Sequence, residues 1–362
     1  PMMRKSPGFR GTPRTPWYDS RGCPEWIAMT ARKPSSEPLT IALTPGDPAG
    51  IGPEIVLRAA NDPALARVCE LIILGDLRVL EKAARTLNGG SAHGARDWLA
   101  GLHVQKGGRG RKFEWGVLSA AAGRFSYECV EAGVRLVRSG GADALVTAPI
   151  SKRAWDLAGI PYPGHTEALA ELTGSEEFAM TFFAGKLRVA LVTAHLPLRR
   201  VAPAIRRRAV GRTIRVLDRW LRQGEGRCRP RIAVTGLNPH AGEGGRLGAE
   251  EEKEIAPAIA DARGEGILAE GPFPADALFA RKAGGWDGVV TMYHDQGLIA
   301  AKLLGRGRAV NVTLGLPLIR TSPDHGTAFD IAGQGKADPR GLIEAVRLAA
   351  RLVKRARTQS EG

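Results

Sequence analysis

Short apolar runs rich in β-branched side chains alternate along this chain with longer stretches in which apolar residues recur at every third or fourth position. The runs at 39–43, 71–74, 144–146, 189–192, 232–234, 289–290 and 310–312 are too short for buried helices and read as strands. Helical periodicity marks 53–60, 166–172, 249–262 and 341–354. Strands alternating with helical segments predict an α/β fold, a largely parallel sheet covered by helices. Residues 88–112, rich in glycine and basic side chains, read as a loop or a small insertion. Residues 1–38 follow neither period, lack the apolar core of a secretory signal and read as a disordered tail outside the fold. The 362 residues suffice for two domains around a shared cleft.

Composition narrows the class. No apolar run approaches the roughly 18 to 20 residues that span a bilayer, which predicts a soluble protein with no membrane partner. The four cysteines, Cys23, Cys69, Cys129 and Cys228, form no CxxC pair. Neither a disulfide framework nor a zinc ribbon is indicated, and a reducing cytoplasm fits. The net charge of +15 invites a nucleic-acid reading, above all through the arginine-dense stretch 199–231. Within it, however, Ile205, Ala209, Val216, Leu217, Trp220 and Leu221 recur at helical spacing, so most of these arginines read as the solvated face of an amphipathic helix. Aromatic residues are few, which argues against base stacking and leaves no nucleic-acid partner expected. A positive field still favours a phosphorylated or carboxylated small substrate.

Ligands of parallel sheets bind just beyond the carboxyl ends of the strands. His195, His240 and His294 each follow one of the predicted strands closely. One histidine in such a place is most often structural; three in the same topological position point to a divalent metal with coordination sites left open for substrate. Glu243 and Asp295 lie beside two of them in sequence, as candidate partners of the rings or as plain exposed carboxylates. At 163–167 the string PGHTE leads a turn into a helical pattern, so His165 and Thr166 stand where free N–H groups suit an anion. Lys302, Asn311 and Arg320 form a third group able to bind phosphate or carboxylate. The loop 45–54, PGDPAGIGPE, matches neither the P-loop nor GxGxxG and reads as a cleft wall.

Seven strings, TPGDPAGIGPE, APISK, GHTE, TAHLPL, GLNPHAGEGG, YHDQGL and NVTLGLPLIRTSPDHGTAFDIAG, occur in this order between about residues 39 and 355. Through them the chain resembles the 4-hydroxythreonine-4-phosphate dehydrogenase family of vitamin B6 biosynthesis. The resemblance implies an isocitrate/isopropylmalate dehydrogenase-like α/β fold with two domains around a central cleft: 39–150 plus 306–356 on the cofactor side, and 151–305 carrying the metal ligands and the dimer contact. It implies that His195, His240 and His294 hold one divalent metal (zinc, magnesium or cobalt) in a site shared between the subunits of a homodimer. His165, Thr166, Lys302, Asn311 and Arg320 contact the phosphorylated hydroxy-amino acid substrate by the same carry-over, with Lys302 and His165 as the candidates for proton transfer. The string HGTAFDIAG is similar to the adenosine-holding loop of isopropylmalate dehydrogenases, which implies His325, Gly326 and Asp330 as contacts for NAD or NADP. A sister dehydrogenase acting on threonate or erythronate 4-phosphate shares these groups and is the alternative. Metal-assisted hydrolysis without a nicotinamide is the reading from another class.

Overall fold

The computed structural model describes residues 37–108, 113–280 and 285–361. The tail expected at 1–38 lies, but for its last two residues, outside them. The eleven strands among the described residues form one sheet: β1 (Thr40–Thr44), β2 (Glu70–Gly75), β3 (His103–Lys106), β4 (Ala144–Thr147), β5 (Ala179–Ala184), β6 (Leu187–Leu191), β7 (Arg231–Thr235), β8 (Leu268–Phe273), β9 (Gly288–Thr291), β10 (Val310–Leu314) and β11 (Ile319–Pro323). Their order across the sheet is β3-β2-β1-β4-β11-β10-β5-β6-β9-β7-β8. Two parallel wings, β3-β2-β1-β4-β11 and β6-β9-β7-β8, are joined by antiparallel pairings of β11 with β10, β10 with β5 and β5 with β6. The sheet is therefore largely parallel, and it runs without a break through both halves of the chain. Helices cover both faces, which is why β4 is buried throughout and β1 in all but its first residue, and both carry apolar runs instead of alternating patterns.

Each predicted strand and helix is present within a few residues, the helices spanning Gly52–Ala60, His165–Thr173, Glu251–Ile255 continued by Ala256–Gly264, and Arg340–Glu361. The reading of 88–112 as a loop needs correction. Helix Ala92–Leu99 and strand β3 occupy much of it, started by the cap from Ser91 Oγ to the Gly94 N–H and anchored by Trp98 Nε1 donating to Asn88 Oδ1 at 3.2 Å. Helix Ala120–Arg138 was hidden for another reason: Gly123, Ser126, Cys129 and Gly133 interrupt the large apolar residues Phe125, Val130, Val134 and Val137 on its buried face. A Cβ on Gly123 would stand 2.0 Å from the Ala154 carbonyl oxygen, so only glycine lets helix Lys152–Leu157 pack this close.

The arginine-dense stretch forms helix Arg207–Gln223. Arg206 pairs with Glu254, Arg207 with Asp261, Arg215 with Glu265, Arg219 with Glu177 and Arg222 with Asp218, so carboxylates of this chain neutralise much of that face. Cys69 and Cys129 are buried free thiols and Cys228 an exposed one. Among the described residues no helix is long and apolar enough to cross a membrane.

Candidate active site

A cleft of about 250 Å³ opens where the two wings of the sheet meet. It collects Lys152 from the start of helix Lys152–Leu157, His165 and Thr166 from the start of helix His165–Thr173, His195 from the loop after β6, and Asn311 and Arg320 from β10 and β11. His294, Leu298 and Lys302 enter from one stripe of helix His294–Gly305 at i, i+4 and i+8. All five residues expected to touch substrate are thus brought together, with two of the three expected metal ligands.

The polar end of the cleft is set up for an anion. Arg320 is 1% exposed; it donates to Thr313 Oγ1 at 3.1 Å and Thr147 Oγ1 at 2.7 Å, while its Nε has no partner. Burial pushes its pKa down to about 9, against a smaller upward pull from Glu167. Nε2 of His165 and Oδ1 of Asn311 are likewise buried without a partner. Burial first, then the charges of Arg320 and Lys152, hold His165 well below the usual histidine range, so its ring is neutral. Its edge stands against Trp155, ring centroids 5.7 Å apart. A buried cation, a neutral imidazole and unpaired polar atoms facing one cavity are the groups a phosphate or carboxylate would satisfy.

At the other end the rings of His195 and His294 lie 5.9 Å apart between centroids. Desolvation, followed by Lys152 and His294, holds His195 down to about 4, so it presents a neutral imidazole. Nδ1 of His294 is bonded to Asp295 Oδ1 at 2.6 Å, which leaves Nε2 as the free ring nitrogen. These two rings fit a divalent metal as a partial donor set. His240 does not join them. It borders a separate cavity of about 630 Å³ with Asp276, Tyr293, Ile299 and Leu303, on the neighbouring face of helix His294–Gly305. No group of three metal-binding side chains occurs among the described residues.

The turn bearing His240 is unusual. His240, Ala241 and Glu243 have φ of 54°, 53° and 45°, a left-handed run that costs energy for non-glycine residues. Buried Glu251 holds it, accepting from the N–H groups of Leu237 and Asn238 at 2.8 and 2.7 Å and from the Asn238 amide at 2.9 Å. Nδ1 of His240 is bonded to Glu243 Oε1 at 2.5 Å, and that carboxylate raises the His240 pKa. Both sequence neighbours, Glu243 and Asp295, therefore do orient a histidine ring.

His325 and Gly326 border the cleft, whereas Asp330 is exposed on the same loop and does not line it. The glycine-containing loop after β1 fixes that segment: the Ile51 N–H donates to the Thr327 carbonyl at 2.9 Å, and Glu54 Oε1 accepts from the Gly333 N–H at 2.7 Å. A Cβ on Gly50 would stand 2.8 Å from the Thr327 carbonyl oxygen, so this glycine permits the close approach.

The model of the pyridoxal phosphate biosynthetic protein PdxA family matches residues 67–349. The chain belongs to the PdxA family. A 4-hydroxythreonine-4-phosphate dehydrogenase from Acidithiobacillus ferrooxidans is 44% identical over 328 residues, 88% of this chain and 97% of that relative. One from Chromobacterium violaceum is 46% identical over 86% of this chain and 96% of its own length. The crystal structure of the Klebsiella pneumoniae protein of the same name superposes with a TM-score of 0.76 at 39% identity, covering 88% of this chain and all of that one. A terephthalate 1,2-cis-dihydrodiol dehydrogenase from Burkholderia xenovorans, named for a different substrate, is also similar, with a TM-score of 0.58 and 30% identity over 86% of this chain and 98% of its own. The chain is accordingly an oxidoreductase with the PdxA fold.

Several residues of this PdxA chain escaped the sequence reading. Lys152 and Glu167 line the cleft from within the strings APISK and GHTE, and burial lowers the Lys152 pKa against an upward pull from Glu167. Asp324 lines it too, its carboxyl raised by burial against Lys302 and His325, and its carbonyl accepts from Lys302 Nζ at 3.2 Å. Gln296 ties strand ends together, accepting from Thr235 Oγ1 and the Met292 N–H and donating to the Gly236 carbonyl. A signal existed for Lys152, which closes the string APISK shortly beyond the predicted strand 144–146. None existed for Gln296, whose role lies wholly in tertiary contacts.

Proposed function

We propose that this chain oxidises 4-phosphohydroxy-L-threonine at its C3 hydroxyl, with NAD or NADP taking the hydride, to 2-amino-3-oxo-4-(phosphooxy)butanoate. That β-keto acid loses carbon dioxide to give 3-amino-2-oxopropyl phosphate. The observation that carries this reading is the cleft itself: buried Arg320 and the unpaired atoms of His165 and Asn311 face one end, and the paired imidazoles of His195 and His294 the other. A substrate with an anionic group near a secondary hydroxyl spans such a site. His165, Thr166, Asn311 and Arg320 bind the anion. Neutral His165 presents a nitrogen that donates to phosphate without repelling Arg320. Lys302 lies two turns beyond His294 on the same stripe, and it moves the proton at the reacting hydroxyl and at the carbon left by carbon dioxide. His325, Gly326 and the exposed Asp330 form the face toward the cofactor's adenosine.

One divalent ion, zinc, magnesium or cobalt, fits His195 and His294 and would supply Lewis acidity toward the C3 hydroxyl and the ketone. The third ligand in this reading is His240 of the partner subunit. Helix His294–Gly305 supports that assignment, for it separates the cleft from the His240 cavity and leaves Ile299 and Leu303 61% and 72% exposed. Exposed apolar side chains of this size beside an incomplete ligand set support the reading of this face as a homodimer contact. The assay that decides is nicotinamide reduction by the metal-loaded protein on 4-phosphohydroxy-L-threonine, threonate 4-phosphate and erythronate 4-phosphate. Preference for a sugar acid overturns the substrate assignment, and absence of nicotinamide reduction on all three overturns the dehydrogenation.

A further inference from the structure

A third cavity, of about 570 Å³, lies at the far end of helix His294–Gly305. Its wall carries Arg188, Arg306, Arg308, Arg340 and Arg351 against a single carboxylate, Glu344. The usual silent explanation for arginines, pairing within the chain, covers only part of them. Arg188 is held by Glu225 and Arg340 by Asp338, while Glu344 is engaged by Arg347, which lies outside the wall. Arg306, Arg308 and Arg351 have no carboxylate partner among the described residues. The floor is apolar, formed by Phe183, Leu304, Val310 and Leu348, and the guanidinium of Arg188 lies 4.6 Å above the Phe183 ring. Like charges gathered over an apolar floor repel one another and focus their field into the cavity. Arg306 also takes a left-handed backbone, φ 46° and ψ 51°, at a helix end where glycine is the default. The volume falls in the range of roughly 300–1,000 Å³ typical of small-ligand sites.

We infer that this cavity is a binding site for a multiply charged phosphorylated small molecule, distinct from the substrate cleft. The two sites stand back to back. In the antiparallel pair β5–β10, Phe182 and Asn311 line the cleft while their neighbours Phe183 and Val310 line the arginine cavity. Side chains alternate faces along a strand, so one strand pair separates the two ligands. The cavity also comes near the cofactor loop. A Cβ on Gly341, the residue after Arg340, would stand 3.2 Å from the His325 ring. The phosphate therefore has two possible sources, the 2′-phosphate of a nicotinamide cofactor or a free polyphosphorylated molecule.

The test is calorimetric titration of the full chain with tripolyphosphate, NAD and NADP. It compares the native protein, Arg308→Ala/Arg351→Ala and Lys302→Ala, with melting temperature as the control for folding. Arg308 and Arg351 are exposed and lie outside the catalytic cleft, so the double variant is expected to fold and to keep its turnover with NAD in the absence of added polyanion. Its tripolyphosphate affinity is expected to fall at least tenfold, and Lys302→Ala is expected to leave that affinity unchanged. A matching loss for NADP with none for NAD assigns the phosphate to the cofactor. A loss of tripolyphosphate affinity that persists at saturating NADP assigns it to a free ligand. Native-like tripolyphosphate affinity in the double variant, or loss in Lys302→Ala alone, overturns the proposal by placing the anion elsewhere.

Discussion

Replacing Arg320 by methionine is expected to stabilise the ligand-free protein while disabling it. The guanidinium is 1% exposed, and its side-chain partners among the described residues are the hydroxyls of Thr147 and Thr313. A fall in pKa from 12.5 to about 9 corresponds to a burial cost on the order of 5 kcal/mol. The sign follows from linkage: a base whose folded pKa lies below its unfolded one is penalised at every pH below the folded value. Relief comes only as the pH rises from about 9 toward 12.5. At pH 7 the cost is therefore fully present. Methionine of similar length removes it and forfeits the two threonine hydrogen bonds, worth about 1 kcal/mol each. The net expectation is a gain of roughly 2 to 3 kcal/mol, in line with the replacement of other buried charges by apolar side chains. Substrate binding moves the other way, since losing a charge-assisted contact to phosphate costs about 3 kcal/mol, or roughly a hundredfold in kcat/KM. Urea unfolding at pH 7, with and without 10-fold increments of inorganic phosphate, reads the first effect, and steady-state kinetics the second. Phosphate should stabilise the native chain and leave the variant unmoved. A variant that unfolds earlier than the native protein without phosphate, or retains its KM, refutes the argument that Arg320 is an unpaired charge kept for the substrate.

Three further outcomes follow from the same geometry. Asp47→Asn keeps an acceptor for the Ala49 N–H while removing a buried carboxyl whose pKa burial pushes up to about 6. An acid raised in this way is penalised above its folded pKa and relieved as the pH falls toward 3.8, so urea unfolding should show a gain of about 3 kcal/mol at pH 7.5 that vanishes near pH 4. Glu251→Ala strips the acceptors that hold the His240 turn, a loss of about 2–4 kcal/mol. Amide exchange should quicken around residues 236–248, bound metal should decrease, and a protected turn in this variant would show that Glu251 is not its support. Leu303→Glu places a charge on the exposed apolar stripe beside the His240 cavity. For the proposed homodimer, light scattering should give half the native mass and metal analysis a reduced content, and a variant with the native mass and full metal would remove the basis for a shared site.

What the sequence revealed and what it concealed divide along a physical line. β6, β9 and β7 are neighbours in the sheet, so residues shortly beyond their carboxyl ends fall on one edge, and the strand-end rule carries His195, His240 and His294 to the same side of the molecule. It goes no further, because the left-handed run from His240 depends on Glu251, eleven positions away, and that run turns the ring into a different cavity. Arg320 was found as a candidate, but β11 was not found as a strand: IRTSP carries a buried arginine and two buried hydroxyls, so no apolar run announces it. Helix Ala120–Arg138 escaped because Gly123, Ser126, Cys129 and Gly133 interrupt its buried apolar face, and β3 because HVQK carries one apolar side chain and buries none of its four residues. Polar groups in the interior of a sheet are costly unless something repays them. Hence the segment least legible as structure, β11 with its unpaired guanidinium, is also the segment most specific to the chemistry, and the two properties share one cause.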